Sequence, residues 1–136
     1  MSNNPTATVT LTSRNYLAES KMRNHFAVID EPLDKGGNDN GPTPVEYLLT
    51  AIGGCVSITL QMYAERKGWD LGRIIVNVSQ KEQLTSEGIK KRLVEEISFE
   101  KEVTNEQRLK LLEIAGKCPV AKMVKGATEI DSKITT

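Results

Sequence analysis

Histidine and cysteine are scarce in this chain of 136 residues: one histidine, His25, and two cysteines, Cys55 and Cys118. Zinc sites draw on Cys and His at short spacings. No CxxC or HxxxH pair occurs, so no structural metal is expected. No serine lies in a GxSxG, so His25 has no nucleophile elbow to serve and a Ser-His-Asp hydrolase is not supported. An excess of one charge is also missing. Eighteen basic and eighteen acidic side chains cancel, which gives no pull toward nucleic acid or an anionic membrane. No unbroken apolar run approaches the roughly 20 residues that a membrane span needs. Residues Met1 to Thr12 carry no basic region, apolar core or cleavage site. No signal peptide is therefore expected, and the cytoplasm is the default location.

The length suits one domain, residues 1–136, with a single core. Residues 6–12 alternate: Ala7, Val9 and Leu11 share one face against Thr8, Thr10 and Thr12, which predicts a half-buried strand. Ser13 to Asn15 reads as a turn. Further short strands are expected over Tyr16–Ser20 and Asn24–Asp30, giving an antiparallel meander. Glu31 to Pro42 is rich in Gly, Pro, Asn and Asp, and Gly36–Pro42 excludes a regular element. A loop of this kind is either a flexible connector or a lid beside a reactive site.

Thr43, Pro44 and Glu46 form the signature of a capping box with proline at the first helical position. The helix is predicted to run to about Lys67, where Gly68 stops it. Its apolar residues, Val45 through Tyr63, fall nearly all round, which predicts burial on all sides and hints at a second subunit. Gly53-Gly54 in mid-helix costs roughly 1 kcal/mol per glycine relative to alanine. The offset is either close packing of another backbone or space for a ligand beside Cys55.

Gly72–Gln83 predicts a strand with Ile74, Val76 and Val78 on one face. A turn over Thr85–Gly88 leads to a returning strand, Lys90–Val103, with Leu93, Ile97 and Phe99 inward. Thr104 and Gln107 mark a second capping box. The helix after it is predicted to bury Leu109, Leu112 and Ile114 and to end at Cys118-Pro119. Val120–Val124 suits a short helical turn, and Thr128–Thr135 a last strand with Ile130 and Ile134 on one face. No short-period repeat occurs. Three strands, a long helix, two strands, a helix and a strand make an α+β chain with sheets segregated from helices.

In a chain with no export signal, two cysteines are more often buried thiols or chemistry than a staple. Cys55 lies about three turns inside its helix, beyond the reach of the terminal dipole. Burial alone leaves a thiol protonated and inert. A reactive Cys55 therefore calls for a cation from elsewhere: Arg23 is the first candidate and Arg14 the second. Arg66 and Lys67 are about three turns away along the same helix. Cys118 reads as a cysteine at a helix end, and spacing alone does not bring it to Cys55. Glu46 is a candidate general base, but it stands nine residues before Cys55, about 13 Å along the axis and on the opposite face of a straight helix. Its place in the capping box already accounts for it.

The run Asn40-Gly41-Pro42-Thr43-Pro44-Val45-Glu46-Tyr47-Leu48-Leu49-Thr50-Ala51-Ile52-Gly53-Gly54-Cys55 resembles the helix-opening motif of the OsmC/Ohr family. Ala115-Gly116-Lys117-Cys118-Pro119-Val120 is similar to its second cysteine motif, and Met62–Trp69 resembles one OsmC-like branch. The resemblance covers essentially the whole chain. It implies an OsmC-like α+β fold of two antiparallel sheets with long central helices, in an intertwined homodimer. It implies that Cys55 is the peroxidatic thiol and Cys118 the resolving one. The implied substrates are organic hydroperoxides, lipid ones included, with a lipoyl-type dithiol or another external thiol as reductant. Two places depart from the peroxidase branches. The position after the helix-opening proline holds Val45, with Glu46 one later, and no Gly-Arg pair precedes residue 72. Arg23 is the nearest substitute.

The resulting expectation is thiol-dependent reduction of organic hydroperoxides, an oxidative-stress defence run by a Cys55/Cys118 cycle with no metal or organic cofactor. The rival expectation is an OsmC-like binding module with an apolar pocket near Gly53-Gly54 and two inert cysteines.

Overall fold

The computed structural model describes residues 4–126 and 128–136, and the chain divides into two compact units at Leu48/Leu49. In the first unit β1 (Thr8–Leu11), β2 (Ala18–Met22) and β3 (His25–Ile29) form an antiparallel meander in that order. Thr8 faces Lys21, Leu11 faces Ala18, and Ala18 faces Ile29. The second strand starts two residues later than its alternation suggests. Thr12 receives the chain back through Leu17, whose carbonyl accepts from both the Thr12 N–H at 2.9 Å and its hydroxyl at 2.8 Å. Asn15 in that corner takes a left-handed φ of 57°, which asparagine tolerates. The predicted half-burial of β1 does not hold, because all four of its residues are exposed. It is an edge strand, and none of the described residues of its unit covers Val9 and Leu11.

The Gly/Pro-rich segment after β3 is a tied loop, not a loose connector. Asp30 is buried, and its carboxylate accepts the N–H of Glu31 at 2.7 Å and of Asn40 at 3.0 Å. Backbone bonds from Asp30 to Pro42 and from Asp39 to Glu31 close the base, and a 3-10 turn over Leu33–Lys35 forms the tip. Gly37 is required here: a Cβ on it would sit 2.0 Å from the Glu31 carbonyl oxygen.

Helix α1 (Pro44–Lys67) has the predicted ends. The Thr43 hydroxyl accepts from the Glu46 N–H and the Glu46 carboxylate accepts from the Thr43 N–H. At the other end Gly68, at φ 70°, allows the Trp69 N–H to reach the Ala64 carbonyl and its own N–H to reach Glu65, a Schellman stop. By length and mean hydropathy α1 could cross a membrane. A core helix meets the same test, and one stripe of α1, Ile52, Val56, Leu60, Tyr63 and Ala64, forms the centre of the second unit's core. Burial on all sides is not reached within one chain: Ile58 and Met62 on the other faces are exposed.

The rest of the second unit is a two-stranded hairpin and two helices. Strands β4 (Ile74–Thr85) and β5 (Gly88–Phe99) pair from Ile74–Phe99 to Thr85–Gly88. Gly88 turns the corner at φ 112°. Ile74, Val76, Val78, Ile97 and Phe99 pack onto the α1 stripe. Full burial of Leu60 and Val56 is worth about 1.5–3 kcal/mol each. Helix α2 (Asn105–Ala115) carries the predicted Thr104/Gln107 box. It turns inward on Leu111, Ile114 and Ala115, while Leu109 and Leu112 are exposed, contrary to the sequence expectation. Two apolar stripes compete on this helix, and the one that includes the small Ala115 faces inward. After α3 (Pro119–Lys125) the described tail, residues 128–136, forms no strand or helix, and Ile130 and Ile134 are exposed.

Candidate active site

Cys55 and Cys118, 63 positions apart in sequence, come together in the second unit as free thiols. Helix α1 carries Cys55 beside its buried stripe, half-buried, one residue before the fully buried Val56. Cys118 is fully buried in the short link between α2 and α3. Pro119 follows it at the first position of α3, where the missing N–H costs nothing. The Cys118 sulfur caps that helix by accepting the Ala121 N–H at 3.5 Å.

The two thiols titrate in opposite directions. Burial pushes Cys55 up, but three hydrogen bonds outweigh it and bring it below the ordinary 9.0: from the Cys118 thiol, the Val120 N–H and the Thr59 hydroxyl. Burial pushes Cys118 above 9.0, and so does its bond to Cys55. The N–H groups of Ala121 and Val120 only partly offset these effects. When the pair gives up its first proton, the charge is therefore favoured on Cys55 and the remaining proton on Cys118. Such a pair suits nucleophilic attack by Cys55 followed by capture of its oxidised form by Cys118.

The donors around Cys55 are neutral. Arg23 is exposed in the β2–β3 turn of the first unit, at φ 56°, two places before the strand it was expected to open. Arg14 is exposed in the corner after β1. Glu46 belongs to the first unit too, with its carboxylate bonded into the cap of α1. His25 is exposed at the start of β3. Among the described residues no three His, Cys, Asp or Glu side chains cluster as a metal site would require. Thr59 and the Val120 N–H were not singled out in the sequence. Both had a signal: Thr59 is one helical turn beyond Cys55, and Pro119 announces a helix start whose first N–H groups lack helical partners.

The mid-helix glycines divide the two expectations made for them. A Cβ on Gly53 would lie 3.3 Å from Val78 Cγ2 and 3.6 Å from the Val76 carbonyl, so this glycine lets α1 settle close to β4. A Cβ on Gly54 would meet nothing within 4 Å. A cavity of about 690 Å³ opens there, bounded by Leu49, Thr50, Ser57 and the β4 residues from Ile74 to Val78.

A family model described as OsmC-like protein matches residues 36–133. The chain belongs to the OsmC-like protein family. No curated protein matches it in sequence. Solved structures show the same OsmC-like fold. One, from Psychrobacter arcticus 273-4 and named as a proposed osmotic-stress-induced and detoxification response protein, shares 20% identity over 90% of this chain and 89% of that one, with a TM-score of 0.74. An OsmC-like protein of Mycoplasma pneumoniae shares 17% identity over 94% and 92% of the chains, with a TM-score of 0.71. An organic hydroperoxide resistance protein of Elizabethkingia anophelis shares 21% identity over 93% and 91%, with a TM-score of 0.70. The α+β architecture with two antiparallel sheets is that of these relatives.

Proposed function

We propose that this OsmC-like chain reduces organic hydroperoxides through a Cys55/Cys118 dithiol cycle, as an oxidative-stress defence. The observation that carries the reading is the meeting of two free thiols, hydrogen-bonded to each other, in surroundings that favour the thiolate on Cys55 over Cys118. The names of relatives such as the Elizabethkingia hydroperoxide resistance protein favour peroxides as the class of substrate.

The cycle has three steps. The Cys55 thiolate attacks the terminal peroxide oxygen, the O–O bond breaks, and the alcohol leaves after taking a proton. Cys55 becomes a sulfenic acid. The Cys118 sulfur then attacks the Cys55 sulfur, loses its proton, and expels the hydroxyl as water, leaving a disulfide. An external dithiol, of lipoyl type or another thiol, returns two electrons and two protons. Sulfur carries both electrons, so no metal or organic cofactor enters. In this reading the neutral donors at Cys55 perform the stabilisation that an arginine was expected to perform. Glu46 is the cap holding the start of α1, and Arg23 is given no part in the step at Cys55.

The protein is proposed to work in the cytoplasm as a homodimer, away from nucleic acid and membrane. Ile58, Met62, Leu109 and Leu112, exposed in the single chain, suit a second copy. A second reading, ligand binding without turnover, is favoured by the cavity beside Gly54.

Intact-mass measurement separates the two. One equivalent of cumene hydroperoxide added to the reduced protein is expected to remove two hydrogens within the mixing time. Cys118→Ser should instead gain one oxygen, and Cys55→Ser should not change. Two free thiols after exposure would defeat the peroxidase reading for organic peroxides and leave the binding one.

A further inference from the structure

Helix α3 begins on the two cysteines. Pro119 at its first position has no N–H, so the donors that its first turn leaves without helical partners are those of Val120 and Ala121. Both end on sulfur: the Val120 N–H on Cys55 and the Ala121 N–H on Cys118, the latter at 3.5 Å. Bonding within the helix starts at the next residue, whose N–H (Lys122) meets the Cys118 carbonyl at 3.0 Å.

Little else holds α3. It is seven residues long, too short to persist alone in water. Ala121 is its one buried side chain and Val120 packs partly against the core, while residues 122–125 are exposed. Among the described residues neither Lys122 nor Lys125 forms an ion pair. A helix that loses its N-terminal cap loses stability, and here the cap is the redox pair itself.

These two bonds belong to the dithiol. Closing the disulfide joins Cys55 Sγ to Cys118 Sγ and draws each sulfur toward the other. The Cys55 sulfur gives up the negative charge that makes a strong acceptor, and a neutral disulfide sulfur accepts only weakly. We propose that α3 is ordered by the dithiol and released by the disulfide, so that the oxidation state of Cys55 and Cys118 sets the order of residues 119–126. The physiological oxidant rests on the peroxidase reading; the coupling itself does not. It runs both ways. An ordered α3 favours the dithiol, and so helps return the chain to the form that attacks peroxide.

Diamide tests the coupling without peroxide. Its N=N bond takes two electrons and two protons from the two thiols, leaving a hydrazine and the disulfide. Hydrogen exchange at the Lys122 and Gly126 amides, which close the first and last turns of α3, is expected to run at least about fivefold faster in the disulfide form of the full chain than in the dithiol form. Under reducing conditions Cys118→Ala, which has no acceptor, should show the fast exchange of the oxidised chain. Cys118→Ser supplies an oxygen cap at nearly the size of alanine and should recover the slow exchange, whereas a packing role would treat the two variants alike. The reverse arm perturbs α3 from its exposed side. Lys122→Gly lowers helix propensity without touching either sulfur, and should shift the dithiol–disulfide equilibrium, measured against a dithiothreitol couple, about threefold toward the disulfide. Equal exchange in the two redox states, an unmoved equilibrium in Lys122→Gly, or two free thiols after diamide overturns the proposal. Release of α3 by diamide, with no disulfide formed by cumene hydroperoxide, upholds the coupling and defeats the peroxidase reading instead.

Discussion

Asp30 in the first unit and Cys55 in the second are built on one device and put it to different ends. Each is an acidic side chain met by backbone N–H groups. At Asp30 the largest influence is the Asn40 N–H, which with those of Glu31 and Asn38 holds the carboxyl below its ordinary 3.8 against the cost of burial. At Cys55 burial is the larger single influence, and the hydrogen bonds only together overcome it. Asp30 is 1% exposed and closed in by its own loop, so its charge has nothing to react with and ties Glu31 to Asn40. Cys55 is half-open, and its strongest donor is itself a thiol that can give up its proton and bond to it. A latch and a reactive centre thus differ less in how the anion is held than in what the donor can become.

The sharpest way to break the comparison is to remove each anion's chemistry. Cys55→Ser is expected to reduce hydroperoxide turnover to the uncatalysed background, read by coupled alcohol release, with circular dichroism unchanged because a serine hydroxyl replaces the thiol without altering the stripe of α1. In the loop the comparable blow is steric. Gly37→Ala drives a Cβ into the Glu31 backbone, where no flexible side chain can yield. It is expected to cost about 1–3 kcal/mol in urea unfolding and to abolish amide protection at Asn40.

Titration sharpens the contrast next. Asp30 has a depressed pKa, so its contribution to stability is complete above the ordinary 3.8 and is lost as pH falls through the lower folded value. Hydrogen exchange at Asn40 should accelerate only in that acid window, and Asp30→Asn should remove the pH dependence. Cys55 is also depressed, so its thiolate persists below 9.0, whereas Cys118, raised, stays protonated through 9.0. Iodoacetamide should therefore alkylate Cys55 with a midpoint below 9.0 and Cys118 above it. A single shared midpoint would contradict the division of roles between the sulfurs.

Much of this frame was legible in the residues because chain ends have their own chemistry. Thr43, Pro44 and Glu46 open α1 and Gly68 closes it, and Thr104 with Gln107 opens α2. Facing was less legible. Leu109 and Leu112 offered one stripe on α2 and Leu111, Ile114 and Ala115 another, and only packing against the α1 core decides between them. The all-apolar look of α1 could not say which side the core would use, nor could Ile130 and Ile134 find a partner strand within the described chain. The two cysteines were visible, but their meeting was not, because no local pattern links positions so far apart. The same holds for Asp30. It read as the last residue of a strand, while its partners Glu31 and Asn40 are backbone groups that carry no side-chain signature.

The smallest expected effect tests whether neutral donors suffice at Cys55. Thr59→Val keeps the shape and volume of the side chain and removes only the hydroxyl that bonds the sulfur. One hydrogen bond to a charged group is worth about 1.5–3 kcal/mol at most and usually less, so the rate of peroxide attack near neutral pH is expected to fall about tenfold. Above the shifted midpoint the rate should recover, because the thiolate then forms without help. That recovery separates the hydroxyl's role from a packing role, for which the loss would be the same at every pH. Arg23→Gln is the control: with the Cys118 thiol, the Val120 N–H and Thr59 in place, the alkylation midpoint of Cys55 should not move. A midpoint that rose in Arg23→Gln and stayed fixed in Thr59→Val would return the thiolate to a cation and undo the parallel with Asp30.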